Sequence, residues 1–530
     1  MKPAVWGTAL GALVVAGGAY AFVSHQVNTG IIDAIDAINT DTANGFAVSY
    51  TDFSASPFSG TVTFNELVIN NTNSATSVIR AEKAKGTLDL WNLDEMNLLE
   101  AAHLEKVSVS QGAITFSADS ASVRNLDIEA VQALAEAPVF SGIPVSRFEM
   151  TGFKMNVKGG PEQNFGLRRL LVQTSDNGNR LDEFLYEGFA FKAPQQQVGI
   201  GLEKLHLRGG DLGFVQKLMD LAKARTEGLD ITDEDINKTT AAMVDAGIAS
   251  FGFEKMSISG FKAEAANGLL ISLKDMYVKD IERVEGLALG ATYAIEDLEI
   301  KGLKNISPQA AQMLTIAEME DLRLNMASKS GYDKTSMTLR GDSAIKIDDL
   351  INLDSAMAIE DVDLAAFRER MRPLLHEQYK GMVTQIATGA PQQAENPQEQ
   401  MTKLFGLMAR AYTGFYSTAK FSITLEDQGL NKKGLALQSA MTGMQVEQLR
   451  QQLTAGVTAN LVMLLGPAAP ADLASSLQAY LAEPSQPLRL TVQNTARLTE
   501  EVVAGMNQTN WHQYFNIEMA SGAGIVAGLQ

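Results

Sequence analysis

The sequence predicts a β-dominated α+β protein built on a long, repetitive antiparallel sheet with one apolar face. The main observation is a six-residue phrase of one apolar, two polar and then apolar, polar and apolar residues, as in LEKVSV at Leu104–Val109. Its copies recur at roughly 20-residue intervals over long stretches, which indicates a repeated supersecondary unit. Helical periodicity is confined to a few segments, which predict helical insertions. The other copies are Phe64–Ile69, Val123–Ile128, Val145–Met150, Leu167–Val172, Leu202–Leu207, Phe253–Ile258, Leu273–Val278, Ile295–Ile300 and Met319–Leu324.

The last three positions of the phrase alternate with period two, so their two apolar residues are predicted to share one face of a strand. The polar residues between them are then predicted to lie on the opposite, solvated face; they include Ser108, His206, Ser257 and Arg323. If the apolar face is open, its residues are candidates for contact with lipid. These candidates are Val107, Val109, Leu205, Leu207, Met256, Ile258, Leu322 and Leu324.

Composition narrows the class of protein. The chain has 530 residues, 45% of them hydrophobic, which is enough for about two or three domains and argues against wholesale disorder. The net charge of −19 disfavours a nucleic-acid partner, because phosphate binding needs clustered Lys and Arg. The chain has no cysteine, which excludes disulfides, thiolate metal sites and cysteine nucleophiles.

An uncharged apolar segment, Val5–Val23, has about the length of a membrane-spanning helix. Lys2 precedes it, whereas several acidic residues and no Lys or Arg follow it before Arg80. By the positive-inside rule, residues 1–23 are predicted to be a single-pass anchor with a cytoplasmic N-terminus and the bulk of the chain exported. The alternative is a cleaved signal peptide, because the AYA at 19–21 has the small-x-small form that signal peptidases recognise.

Residues 24–44 are predicted to form a juxtamembrane helix, because their apolar residues have helical spacing and Asn44-Gly45 ends the pattern. A repetitive β domain is predicted over 45–362, with a helical insertion near 211–247. The domain opens with a hairpin, GFAVSYTDFSASPFSGTVTFNELVI, and continues to the strand–Gly–strand unit LEKVSVSQGAITF.

This hairpin directly after an N-terminal membrane helix, followed by LEKVSVSQGAITF, resembles the N-terminal portion of the bacterial AsmA-like and YdgA-like envelope proteins. The resemblance covers about the first 120 residues well, and the later repeats share only its general pattern of apolar alternation and glycine. It implies an inner-membrane-anchored protein with a repetitive periplasmic β structure, in a group associated with lipid traffic and outer-membrane homeostasis. This chain departs from the group by its helical insertions and its partly helical C-terminal third. These helices argue against a long, uninterrupted lipid conduit and favour a resemblance to the YdgA-like proteins.

The insertion is predicted to begin with a helix at Asp211–Arg225, whose apolar residues form one helical stripe. The acidic run after Thr232 has two interpretations. It lacks the glycine and the distal glutamate of a calcium-binding EF-hand loop. A helix that begins at an N-cap Thr232, with acidic residues in its first turn, explains the run better.

The region 363–530 is predicted to be a helix-rich α+β region. Its predicted helices are Leu364–Ile386, the stripe from Met401 to Phe415, Val446–Leu465 and Leu473–Leu481, with a polar link at Gly389–Gln400. Its predicted strands are Phe421–Glu426 and Leu435–Met441, joined as a hairpin by GLNKKG, and a last strand at Pro487–Gln493.

The sequence contains no catalytic motif that we recognise, and no enzyme activity, cofactor or metal is predicted. The five histidines are scattered, without a pair at metal-ligand spacing. His376-Glu377 begins like a zinc-protease motif, but Lys380 stands where the second histidine is required. Glutamates recur at one position of the phrase, which predicts solvated structural positions.

Two functions remain open from the sequence, an enzyme being the least favoured class. In the first, the apolar sheet face binds or guides lipid. In the second, helices fill that face and the protein is a periplasmic scaffold that recruits a protein partner or a second copy of itself. We expect Leu207 and Ile258 to be the most covered, because they lie nearest in sequence to the helical insertion, and Val109 to be less covered.

Overall fold

A computed structural model of the chain describes residues 46–56, 59–71, 77–88, 98–127, 145–157, 164–176, 178–193, 197–389, 413–466, 470–506 and 510–522, with single residues or short groups at 32, 35–37, 39–40, 407 and 411. The predicted anchor Val5–Val23, the polar link at 390–400 and most of the Met401–Phe415 stripe lie outside these residues. Within the described part, no helix has the length and apolar character to cross a membrane.

The chain divides into two compact units, which are described separately. The first unit comprises Met1–Thr239, Gly252–Ala263 and Ile386–Thr388. The second comprises Thr240–Phe251, Glu264–Gln385 and Gly389–Gln530.

The first unit is built on an antiparallel meander. From β2 to β10 each strand pairs with the next, while β1 and β2 pair with opposite halves of β3. Glu254 of β11 forms ion pairs with Arg180 of β9 and Arg208 of β10. The strands are β1 (Phe46–Ser49), β2 (Asp52–Ser56), β3 (Thr61–Asn71), β4 (Ser77–Leu88), β5 (Leu98–Gln111), β6 (Ile114–Asp127), β7 (Arg147–Val157), β8 (Asn164–Ser175), β9 (Arg180–Ala193), β10 (Val198–Gly209) and β11 (Phe253–Glu264).

The repeated phrase marks a β-bulge. In β3 the buried residues are Val62, Phe64, Leu67 and Ile69, so a spacing of two residues is interrupted once by a spacing of three. The additional residue is Glu66, whose φ of 51° lies in the left-handed region. Such a residue shifts the phase of the strand, and apolar residues on both sides of it reach the same face. The two adjacent polar residues of the phrase are therefore the sequence signature of this shift.

The bulges recur on every second strand and form a row across the sheet. Lys106 of β5 repeats the position of Glu66, with a φ of 47°, and further along the sheet glycines take it at Gly152, Gly188 and Gly260. A Cβ atom on these three glycines would overlap the side chains of Asp119, Arg168 and Glu203, respectively. Glycine is required there because a charged side chain of the adjacent strand lies across the backbone.

Two helices follow β10, namely α1 (Gly213–Thr226) and α2 (Asp233–Ile248). The predicted N-cap is confirmed, because the Asp235 amide donates a hydrogen bond to the Thr232 hydroxyl over 3.2 Å. The Thr232 amide donates in return to the Asp235 carboxylate over 3.1 Å. The Thr232 hydroxyl also donates to this carboxylate over 2.7 Å, and the hydrogen bonds from the Thr232 hydroxyl and amide lower the pKa of Asp235. The acidic run is thus a helix start, as the second interpretation predicted.

The second unit contains a further antiparallel meander, in which each strand from β12 to β19 pairs with the next. Its strands are β12 (Leu270–Val284), β13 (Leu287–Lys301), β14 (Leu322–Asp333), β15 (Thr338–Ile347), β16 (Ile351–Glu360), β17 (Thr418–Asp427), β18 (Leu488–Asn494) and β19 (Phe515–Ser521). The helices numbered after α2 are α3 (Pro308–Ile316), α4 (Leu364–Thr388), α5 (Leu430–Thr442), α6 (Val446–Leu465), α7 (Ala471–Ala482) and α8 (Glu500–Gly505).

The sequence-based prediction of a β-dominated chain with a long antiparallel sheet and helices is confirmed by this architecture. Two local predictions are wrong. The β domain over 45–362 was predicted with one helical insertion, near 211–247, but the chain between β13 and β14 also contains a helix, α3, which begins at an N-cap Ser307 followed by Pro308. The predicted strand Leu435–Met441 is part of α5, because the Asp427 carboxylate accepts hydrogen bonds from the amides of Gly429 and Asn431 and starts a helix there.

The core of the second unit lies at one end of its sheet. Phe367 at the start of α4 packs on Phe415, with ring centroids 5.0 Å apart, and Phe415 packs on Tyr416 at 4.9 Å. Asp363 caps α4 by accepting a hydrogen bond from the Ala366 amide. The buried cluster around these rings comprises Val284, Leu287, Leu289, Tyr332, Ile359, Val362, Leu364, Phe415 and Tyr416.

Candidate apolar binding face

One face of the first unit's sheet is apolar across nine strands; we call it the apolar face. Residues paired directly in an antiparallel ladder lie on the same face of a sheet, so the registers trace three unbroken rows across it. The first row contains Val48, Ile69, Ile79, Val109, Phe116, Met155, Phe165, Phe191 and Ile200. The second contains Phe53, Phe64, Ala84, Leu104, Ala121, Met150, Leu170, Tyr186 and Leu205, and the third Ala55, Val62, Gly86, Ala102, Val123, Phe148, Val172, Phe184 and Leu207.

The opposite face is predominantly polar, as the sequence predicted. Ser108 pairs there with Arg80 and Ser117, and His206 pairs with Leu185. The Arg147 and Arg169 side chains both donate hydrogen bonds to the Glu149 carboxylate over 2.8 Å, which lowers the pKa of Glu149. Charge is therefore concentrated on one face of the sheet.

The apolar face is covered at its first strands. Val62 and Phe64 are fully buried, and Val109 is only 6% exposed. Ile35, in the helical segment that precedes β1, is 3% exposed and belongs to the same buried cluster as Leu67 and Val107. The strands β3–β5 therefore contribute their apolar side chains to a closed core.

From β6 to β10 every residue of these rows is half-buried or exposed, except Ala121 and Val123 of β6, which are buried. Phe116, Phe165 and Phe191 are half-buried, and the row ends at Ile200, which is 39% exposed. We call this part, the three rows on β6–β10, the open half of the apolar face. Five strands span roughly 20 Å at a spacing of about 4.8 Å. Apolar area therefore remains in contact with water over a distance comparable to an extended acyl chain.

The open half is rich in aromatic rings. Phe153 lies 6.0 Å from Phe116 and 5.9 Å from Phe165, between ring centroids. Phe189 continues the cluster at 5.3 Å from Phe165 and 5.8 Å from Tyr186. Edge and offset contacts of this kind add to the packing energy of the rings. The rings form a continuous hydrocarbon surface along the middle of β6–β9.

The electrostatics of the open half are simple. Its three rows contain no ionisable side chain apart from the phenol of Tyr186. Burial raises the pKa of Tyr186, so the phenol is neutral. Behind it, on the polar face, the His206 Nε2 lies 3.0 Å from a Glu183 carboxylate oxygen. Burial, together with Lys204, lowers the pKa of His206 despite that carboxylate.

The structure places the eight candidate residues on three different parts of the chain. Val107 and Val109 lie on the covered strand β5, and Leu205 and Leu207 lie on the open strand β10 of the same face. Met256 and Ile258 are half-buried on β11. Leu322 and Leu324 are half-buried on β14 of the second unit.

The expected order of burial is reversed. Val109 is buried, whereas Leu207 and Ile258 are half-buried. The reason is that the covering residue Ile35 comes from the segment before β1, and the helical insertion after β10 leaves Leu207 incompletely covered. Sequence distance from a helix was the wrong guide to coverage.

Sequence reasoning missed the aromatic residues of β7–β9. The phrase itself could have identified them. A bulge after its first apolar residue places that residue on the same face of the sheet as the two apolar residues that end the phrase. Leu104 shares the apolar face with Val107 and Val109 in this way. Applying the same rule around Gly152 and Gly188 places Phe153 and Phe189 beside the three rows.

The second unit also has an apolar face, formed by aliphatic residues. One row contains Leu273, Leu298, Leu324, Ile347 and Ile351, and the next Met276, Ile295, Met326, Ile345 and Leu353. All ten residues are half-buried. We call these two rows the aliphatic bed. Among the described residues of either unit, no three His, Asp or Glu side chains form a group suited to a metal ion.

Comparison with known proteins adds one match. A family model described as "Uncharacterized protein" matches residues 344–521, a segment that begins in β15 and ends with β19. No curated protein matches the chain.

Proposed function

We propose that the protein is a cell-envelope component that binds or guides lipid acyl chains along the open half of its apolar face. The observation that carries this proposal is the uncharged, half-exposed aromatic surface of β6–β10. Contiguous exposed apolar patches beyond a few hundred Å² are rare in monomeric proteins and mark interaction sites. Covering such a surface with hydrocarbon is favourable by about 25 cal/mol per Å² of apolar area.

The proposed location is the periplasm, with the chain anchored in the inner membrane by Val5–Val23 and its N-terminus in the cytoplasm. The charge asymmetry around that segment and the resemblance of the first 120 or so residues support this location. The proposed role is support of outer-membrane homeostasis by a protein that is not an enzyme. A periplasmic-only reporter fused after Gln530 should be active, and activity of a cytoplasm-only reporter there would overturn the orientation.

The binding proposal is tested with the purified, delipidated full chain and the fluorescent fatty acid cis-parinaric acid. We expect a saturable fluorescence enhancement. Ile200→Asp should weaken the affinity for cis-parinaric acid several-fold, because the new carboxylate would have to be desolvated beneath the bound acyl chain. Ala190→Asp is the matched control, because Ala190 is exposed on the other face of the neighbouring strand β9. Equal effects of the two substitutions would contradict binding on the apolar face.

The buried strands β3–β5 support a second candidate, a scaffold whose apolar face is filled by protein. Native mass spectrometry of the protein as purified separates the two. Bound lipid supports the first proposal. A lipid-free protein that forms a stable dimer or captures a defined envelope protein, and that ignores cis-parinaric acid, supports the scaffold.

A further inference from the structure

A row of four hydroxyl groups crosses the apolar face of the second unit. Tyr293, Ser328, Ser343 and Ser355 lie directly opposite one another on β13–β16. The hydroxyls of Ser343 and Ser355 are 2.6 Å apart. The row continues into Val278 at one end and Ile423 at the other, so the hydroxyls form a bounded polar stretch.

This hydroxyl row lies beside the aliphatic bed. The nearer bed row, which includes Ile295 and Met326, is two residues further along each strand. On the other side of the hydroxyl row, Ala291, Ser330, Gly341 and Met357 lead to the buried cluster around Tyr332 and Ile359. The hydroxyls therefore stand at the boundary between a closed core and a half-buried hydrocarbon surface.

A structural role accounts for part of this row. Paired serines on adjacent strands stabilise a sheet through their hydrogen bond, which explains Ser343 and Ser355. Tyr293 and Ser328 extend the row with half-buried hydroxyls that have no side-chain partner among the described residues. A hydroxyl donates one hydrogen bond and accepts two, so the row keeps capacity for a ligand.

The charge of the surroundings narrows the chemistry of that ligand. Neither the hydroxyl row nor the two rows of the aliphatic bed on β12–β16 contain a Lys, Arg, Asp or Glu. A phosphate or carboxylate held there would lose hydration without gaining a cation. An ester carbonyl or a glycerol hydroxyl carries no charge and is satisfied by hydroxyl partners.

We propose that this boundary binds a neutral acyl glycerol ester. Its hydrocarbon chain lies on the aliphatic bed, and its ester and glycerol oxygens meet the hydroxyls of Tyr293, Ser328, Ser343 and Ser355. The inference rests on the proposed function, because it assigns a second face for hydrocarbon and adds the polar group that this face recognises.

The test uses the delipidated full chain and two photoreactive probes, a diazirine analogue of 1-monooleoylglycerol and a diazirine alkane of the same chain length. Cross-linked peptides are identified by mass spectrometry. We expect both probes to label peptides of β12–β16, with a dissociation constant about tenfold lower for the ester. Ser343→Ala with Ser355→Ala, and separately Tyr293→Phe, should remove most of that preference and leave alkane labelling unchanged.

Ser272→Ala is the matched control, because Ser272 pairs with Glu299 in β12 and β13 and lies off the hydroxyl row. Equal affinity for the two probes in the unmodified protein would overturn the ester assignment while leaving hydrocarbon binding intact. An unchanged preference in the serine variant, or preferential displacement of the ester probe by oleate, would overturn it as well. Failure of both probes to label any apolar face would contradict the proposed function itself.

Discussion

The covered strands β3–β5 and the open strands β6–β10 share one face and one repeated phrase, but they differ in side-chain size. The covered strands present Ala81, Ala84 and Ala102 between their larger residues. These small residues leave room for a second layer, in which Ile35 lies. The open strands present large rings that pack along the sheet in stacked and edge-to-face contacts.

The difference shows that the phrase determines which residues share a face, while side-chain volume determines whether the face can be closed by protein. Small residues need a covering layer to exclude water. Rings such as Phe153 and Phe165 shield one another laterally and still leave their outer edges accessible. The open half is therefore the better surface for a flexible ligand such as an acyl chain.

The largest expected effect is that of Phe64→Asp. Phe64 is fully buried on β3 and contacts Tyr50 and Phe53, with ring centroids 5.4 Å and 5.9 Å away. A carboxylate buried there without a partner should cost several kcal/mol, a large part of the ~5–15 kcal/mol that stabilises a typical protein. Thermal unfolding measures this loss. Phe165→Asp on β8 is the comparison, and an equal loss at both sites would abolish the distinction between covered and open halves.

The second-largest loss of stability is expected for a substitution in the row of bulges. Gly152→Ala should destabilise the sheet by about 1–3 kcal/mol, because alanine disfavours a φ of 62° and its Cβ would displace Asp119. Gly112→Ala is the control, because Gly112 has a φ of 60° but no atom within 4 Å of the added Cβ. Denaturant unfolding should show a larger loss for Gly152→Ala, and Asp119→Ala should recover most of the difference, because only the Cβ of residue 119, 2.9 Å from the added atom, then remains close. Identical losses would mean that the crossing side chain is irrelevant.

These glycines also show how far the sequence could predict the fold. Alternation and the recurring phrase were sufficient for a long antiparallel sheet and for the shared face of Val109 and Leu207. Coverage was not predictable, because Ile35 reaches its partners through the tertiary fold. The hydroxyl row was missed for the same reason, since Tyr293 and Ser355 lie on strands separated by two others and belong to one row only through the strand register.

A smaller effect on stability is expected for Ile200→Asp, the substitution used to test binding. Because Ile200 is already 39% exposed at the end of its row, its replacement should cost less than about 1 kcal/mol. Retained thermal stability with weakened cis-parinaric acid binding would separate the ligand surface from the core. Severe unfolding would instead show that Ile200 is packed against protein and would favour the scaffold.

The smallest expected effect concerns His206, on the polar face behind the open half. Burial and Lys204 lower its pKa in the folded state below the ordinary value of 6.5, so the unfolded chain binds the proton more readily. Stability should therefore fall as pH decreases below about 6.5, until the folded-state pKa is passed. His206→Gln should flatten that part of the stability profile, measured by urea unfolding between pH 5 and 8, and leave cis-parinaric acid binding unchanged. The same slope in both proteins would assign the acid sensitivity to other groups, and a loss of ligand binding would show that the two faces of β10 are coupled.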